Sequence, residues 1–232
     1  MSISYEEWVE KIFNPLVEGQ YYYWDDNRTY SDIDDIISSV DKIEYLIRLF
    51  EHSEDELSMF SDKQVSKGLW YIAGNSEYTE VWKDDKINER QKKQFIESIY
   101  KLFVGCFVNR CERCLGHLDE KGTNPVNSIC YMWWDILPII SSKKTDDYLL
   151  FLDIMKKILS INHVACQESA LHGLGHWHNS HPEIVEDIID NYLARFGNLF
   201  TQKKGKRVLK DPKQELPKIL RYALQARTGC VQ

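Results

Sequence analysis

Apolar residues recur at three- and four-residue steps along most of this chain, the spacing that lines one face of an α-helix. Ile43, Leu46, Ile47 and Phe50 share such a face and predict a helix from about Ser31 to Phe50. Phe95, Ile99, Leu102, Phe103 and Cys106 predict another over 91–107. The stretch from Ser128 to Ile140 is apolar nearly all round, which predicts a buried helix that Pro138 bends or ends. Phe151, Ile154, Met155, Ile158 and Leu159 form the stripe of a helix that Thr145 is placed to cap. The next helix is expected over Val164 to Trp177. It is followed by one whose first turn holds Pro182 and whose face carries Ile184, Val185, Ile188, Ile189, Tyr192, Leu193 and Phe196. A last helix carries Leu216, Ile219, Leu220 and Ala223. No run alternates apolar and polar residues, so no strands are expected, and the basic stretch Lys203 to Lys213 reads as a solvated loop.

Capping signals punctuate the pattern. Ser4 with Glu7 and Ser61 with Gln64 have the spacing of capping boxes. The helices also pair. Ser66, Ser128 and Ser169 each precede an apolar helix that is followed by a turn and an amphipathic partner. Ser128 and Ser169 lie 41 residues apart, and Ser66 lies 62 before Ser128, one unit plus an insertion over 75–90. A two-helix unit of about 40 residues cannot cover its own apolar face, so neighbours must stack. On this period the chain resembles HEAT- and armadillo-like α-solenoids over 61–225. The resemblance implies an all-α array of stacked helix pairs forming a single domain over 1–232, with residues 1–60 as capping helices.

Composition narrows the class. Of the 232 residues, 43% are hydrophobic and 28% charged, which excludes a disordered or membrane-embedded chain. A chain of this length buries roughly 70% of its unfolded surface and needs no disulfide or metal to fold. The start, Met1 to Glu7, has no basic segment leading into an apolar run, so no secretory signal and a cytoplasmic location are expected. The six cysteines are then reduced thiols, mostly packed as small apolar groups. Charge is uneven: residues 1–85 hold 20 acidic and 7 basic side chains, residues 86–232 hold 16 and 22, and the net is −7. An acidic first third repels nucleic acid and attracts a basic protein.

Three constellations bear on chemistry. Cys106, Cys111, Cys114 and His117 include one C-x-x-C pair. If the helix continued, Cys111, Cys114 and His117 would share a face as zinc ligands, but no second pair accompanies them. His172 and His176 stand four apart on one helical face, opposite Ala170, Leu171, Leu174 and Trp177. The residues between them, Gly173-Leu174-Gly175, lack the glutamate of a metalloprotease helix. Each glycine costs a helix about 1 kcal/mol relative to alanine, which a close helix crossing justifies. The favoured reading is therefore tight packing with hydrogen-bonded imidazoles, and no metal, cofactor or catalytic residue is expected. Glu168 is spaced to pair with His172.

The third constellation is a surface. Tyr22, Tyr23, Trp24, Asp25, Asp26, Asp34 and Asp35 mix aromatics with carboxylates, and Glu77, Tyr78, Glu80, Trp82, Asp84 and Asp85 repeat the mixture. Aromatic anchors ringed by acids suit capture of a basic protein. The segment Ala170-Leu-His-Gly-Leu-Gly-His-Trp177, the acidic first third and Ala226-Arg-Thr-Gly229 are weakly similar to the small acidic α-helical immunity proteins of bacterial contact-dependent inhibition systems. That resemblance implies a non-enzymatic antitoxin that binds and occludes a basic toxin domain with nuclease activity, touching neither nucleic acid nor membrane directly. Two other readings stand beside it: a metal-dependent enzyme using His172 and His176, helped by His178, His181 or Glu168, and a generic helical scaffold.

Overall fold

The computed structural model describes residues 3–14, 36–79, 81–118, 122–137, 145–213 and 215–231. Helix α1 (Tyr5–Phe13) begins where Ser4 Oγ accepts the Glu7 N–H at 3.1 Å. Helix α2 (Ser39–Glu51) begins at Ser38, whose Oγ accepts the Asp41 N–H, and residues 31–35 of the longer expected helix lie outside the described residues. Helices α3 (Asp62–Gly74), α4 (Glu89–Leu102) and α5 (Pro125–Ile136) each open on a reciprocal capping box, made by Ser61/Gln64, Asn88/Gln91 and Asn124/Asn127. Each box satisfies two backbone groups that a helix start otherwise leaves orphaned. Then come α6 (Thr145–Ile158), α7 (Val164–Trp177), α8 (Pro182–Ala194) and α9 (Lys218–Ala226).

Alternate helices fall into alternate rows. Helices α1, α3, α5, α7 and α9 pack in succession to form one row, and α2, α4 and α6 form the other, while α8 rests on α7 and α9. Aromatic rings fill the space between rows. Phe50 of α2 meets Trp133 of α5 edge-on at 5.8 Å, and Phe103 stacks on Trp134 at 6.0 Å. Trp8, Trp133 and Trp134 are wholly buried, and indole burial of this size dominates core energetics. The fold is all-α apart from one small hairpin, as the helical period implies.

Three local departures have physical causes. The helix expected over 91–107 becomes α4, a π turn (Phe103–Phe107) and a last short turn (Val108–Arg110). In that π turn Gly105 lies so close to the 53–56 turn that a Cβ would sit 2.7 Å from Ser53 Oγ. Helix α5 starts three residues earlier than Ser128 because Asn124 and Pro125 form a better start, and it ends at Ile136; Pro138 lies outside the described residues. The basic stretch is not a plain loop. Strands β1 (Phe200–Lys203) and β2 (Lys206–Leu209) pair antiparallel about Lys204 and Gly205, with φ of 50° and 77°. Two successive positive φ values make the tight turn that matches strand twist. Phe200 is buried and anchors the hairpin, while Lys203, Lys204 and Lys206 remain exposed.

Candidate functional site

One group of polar side chains converges where α5, α7 and α9 meet. Helix α7 supplies Glu168, His172 and His176, one below another at four-residue steps. The two imidazoles turn toward the neighbouring helices. His172 is 1% exposed, and its Nδ1 lies 2.8 Å from the Tyr222 hydroxyl of α9. Its ring is 4.3 Å from that of Tyr131 on α5, and the Tyr131 and Tyr222 hydroxyls are 3.3 Å apart. His172 Nε2 faces His176 Nε2 at 3.1 Å, and Asp135 of α5 brings Oδ1 to 3.6 Å from His176 Nε2. Asp135, His172 and His176 thus place three ligand atoms within 4.8 Å of one another, and no other such group occurs among the described residues.

The close crossing beneath this group depends on glycine. A Cβ at Gly173 would lie 2.7 Å from Trp134 Cγ, and one at Gly175 would lie 2.4 Å from Val231 Cγ1. The crossing expected from the sequence is therefore present, with side chains rather than backbone pressed against the glycines. Trp134 is the neighbour of Asp135, so the same contact sets the carboxylate opposite the imidazoles.

Glu168 has a different partner from the one its spacing suggests. It is 1% exposed and accepts the Gly116 N–H at 2.7 Å and the His117 N–H at 3.2 Å, and its Oε1 meets His117 Nδ1. The His117 ring stacks on Tyr222 at 4.3 Å. The carboxylate therefore ties the 116–118 turn to α7. Burial raises its pKa against the pull of His117 and the two N–H groups.

Burial holds the His172 ring neutral by lowering its pKa from 6.5 to about 3, with His176 and His117 adding to the shift. A folded value below the unfolded one means the unfolded chain binds the extra proton. Stability from this ring is therefore complete above about pH 6.5 and is lost as pH falls toward 3. The loss between pH 7 and pH 5 is expected to be about 2 kcal/mol. Glu168, with a raised pKa, has the opposite sign: its charged form is disfavoured in the fold, and lower pH relieves it. Denaturant unfolding at both pH values, comparing wild type with His172→Gln in chelator, cancels the Glu168 contribution. An equal pH loss in both proteins would contradict the assignment.

The other candidates disperse. His178 lies 3.5 Å from Glu186, and the His181 ring lies 4.0 Å from that of Tyr148, tilted by 36°. Cys111, Cys114 and His117 share no helical face, because the helix ends at Arg110. Cys111 enters the core, Cys114 lies 3.8 Å from the Asn127 amide, and His117 belongs to Glu168. None of the six cysteines forms a disulfide; Cys106, Cys111, Cys130 and Cys166 are buried, as expected of small packed groups, and burial pushes the Cys106 and Cys130 thiols up, while Cys114 is half-buried and Cys230 exposed.

Of the expected binding surface, Tyr22, Tyr23, Trp24, Asp25, Asp26, Asp34, Asp35 and Glu80 lie outside the described residues. Tyr78 and Trp82 are core residues and present no ring to solvent. Tyr78 accepts the Trp8 indole N–H at 3.0 Å, and Trp82 meets Phe151 edge-on at 5.8 Å. Residues 76–79 pack on α2 and α3 and residues 81–83 on α2 and α4, so burying these rings is worth more than displaying them. The described acids that flank them stay at the surface. Glu77 is exposed and holds the buried Lys42 ammonium at 2.7 Å, Asp85 is exposed, and half-buried Asp84 accepts from Ser39 Oγ at 2.6 Å.

More acids face water than the sequence reading named. Glu6, Glu7 and Glu10 of α1, Glu44 and Glu51 of α2, and Glu54 and Asp55 after it are all exposed. Basic groups at this end are engaged locally: Arg48 bridges Glu6 at 3.1 Å and Glu56 at 3.0 Å, with its guanidinium 3.7 Å over the Tyr5 ring. The polar positions of the α1 and α2 wheels carried this signal. Tyr131 and Tyr222 carried none, since each reads as an ordinary core aromatic. No described helix is long and apolar enough to cross a membrane. Compared with known proteins, the chain matches no family model, no curated protein and no solved structure.

Proposed function

We propose that this chain is a non-enzymatic binding protein, an acidic immunity or antitoxin protein that captures and occludes a basic toxin domain, most simply a nuclease. The observation that carries this reading is the set of exposed carboxylates on α1, α2 and the 53–56 turn, with Lys42 and Arg48 already engaged by neighbouring acids. Such a surface attracts a basic protein over the range of a Debye length, and a nuclease cleft is basic because it binds phosphates. The two-row helix packing supports the reading in a second way. It holds the acids on rigid elements, so little ordering entropy opposes docking. Affinity capture from the native host at low salt is expected to retain one dominant basic partner that elutes as salt rises. Retention of acidic partners alone would count against the proposal.

A further inference from the structure

We infer that Asp135, His172 and His176 form a binding site for one divalent transition-metal ion of the zinc type, clipping α7 to α5. The donor set is two imidazole nitrogens and one carboxylate oxygen. That set suits zinc and its first-row neighbours and is a poor match for magnesium or calcium, which take oxygen ligands. The spacing fits. Two imidazoles on a tetrahedral zinc, each about 2.05 Å from the metal, stand about 3.3 Å apart; the His172 and His176 Nε2 atoms are 3.1 Å apart. The Asp135 oxygen, 3.6 Å from His176 Nε2, is within a small side-chain rotation of a third ligand position.

The surroundings are those of a prepared site. His172 Nδ1 faces the Tyr222 hydroxyl at 2.8 Å. With Nδ1–H donated there, the tautomer leaves Nε2 as a lone pair pointing at His176. This is how outer-shell partners commonly fix a ligating histidine. Tyr222 is thus a positioning residue rather than a ligand. An entry path exists, because the side chains of Asp135 and His176 are 43% and 31% exposed while His172 forms the buried floor. Water completes the coordination from the open side.

The test is zinc titration of the full chain, stripped of metal by chelator and free of any affinity tag, followed by calorimetry and by thermal unfolding. One equivalent of zinc is expected to bind and raise Tm, while magnesium leaves both readouts unchanged. Asp135→Asn and His176→Gln alter exposed or half-exposed side chains and are expected to stay folded. Each should weaken zinc binding by about tenfold or more, and Tyr222→Phe by about tenfold, through loss of the group that orients His172. Absence of one-equivalent binding would overturn the proposal. So would zinc affinity unchanged in both Asp135→Asn and His176→Gln, which would place the ion on thiols such as exposed Cys230.

Discussion

Replacing Glu168 by leucine is expected to destabilise the protein by about 3–5 kcal/mol, because three hydrogen-bond donors lose one shared acceptor. The carboxylate is sealed in the interior and accepts from two backbone N–H groups and the His117 ring. Leucine leaves three donors on the half-buried 116–117 turn without that acceptor, and each costs about 1–3 kcal/mol where water does not replace it. The effect spreads, because the 116–118 turn that Glu168 holds also carries the ring stacked on Tyr222. Glu168→Gln keeps an acceptor oxygen but turns an amide N–H₂ toward one of the donors, so an intermediate loss is expected. Urea unfolding at pH 7 checks both, with Glu183→Gln, an exposed position on α8, as the neutral control. For a chain of this size the leucine variant should melt about 10 °C lower. A loss under about 1 kcal/mol would mean that the three donors find other acceptors.

The two glycines of α7 should respond in different ways. At Gly173 a Cβ would meet Trp134 at Cγ and at Cβ, 2.7 and 2.8 Å away. Those atoms lie at the root of a side chain that is 1% exposed and stacked against Phe103, so they move only if α5 moves. Overpacking of this kind costs about 1–3 kcal/mol, more for a larger side chain. The better helix propensity of alanine returns about 1 kcal/mol. Gly173→Ala should therefore lose up to about 2 kcal/mol and Gly173→Leu about 3 kcal/mol or more. At Gly175 the obstacle is the methyl end of half-buried Val231, outside any helix. That tip can rotate or the segment can shift, so the propensity gain offsets the contact and Gly175→Ala should be nearly neutral. Equal losses at the two positions would contradict this account of the crossing.

The contrast between helices and site follows from range. Ser4, Ser61 and Pro182 announce helix starts through contacts within four residues, and the α7 boundaries and its wheel are local as well. The His172–His176 pair was legible for the same reason. What joins it to Asp135, Tyr131 and Tyr222 was not, because those residues lie 37 or more positions away from His172 in the chain. Glu168 shows the limit most clearly: the local rule offered His172 four residues on, and row packing delivered His117 from 51 residues earlier. Tyr78 and Trp82 looked like a surface cluster because acids flank them. The short turns at 76–79 and 81–83 pack on α2 with their rings inward, while Glu77 and Asp85 stay outside, which no periodicity in so few residues reveals. The hairpin was hidden by four-residue strands, too short to show alternation; its one readable signal was Lys204-Gly205.

The most direct test of the binding account is the association rate with the captured basic partner, followed across ionic strength. Wild type should associate rapidly at low salt and lose that advantage steeply as salt is added. A variant carrying Glu7→Lys, Glu10→Lys, Glu44→Lys and Glu54→Lys should associate about tenfold or more slowly and with a flatter salt response. The same reversal at Asp25, Asp26, Asp34 and Asp35 tests the neighbouring acidic segment. If both variants match wild type in rate and salt response, this acidic end does not dock the partner.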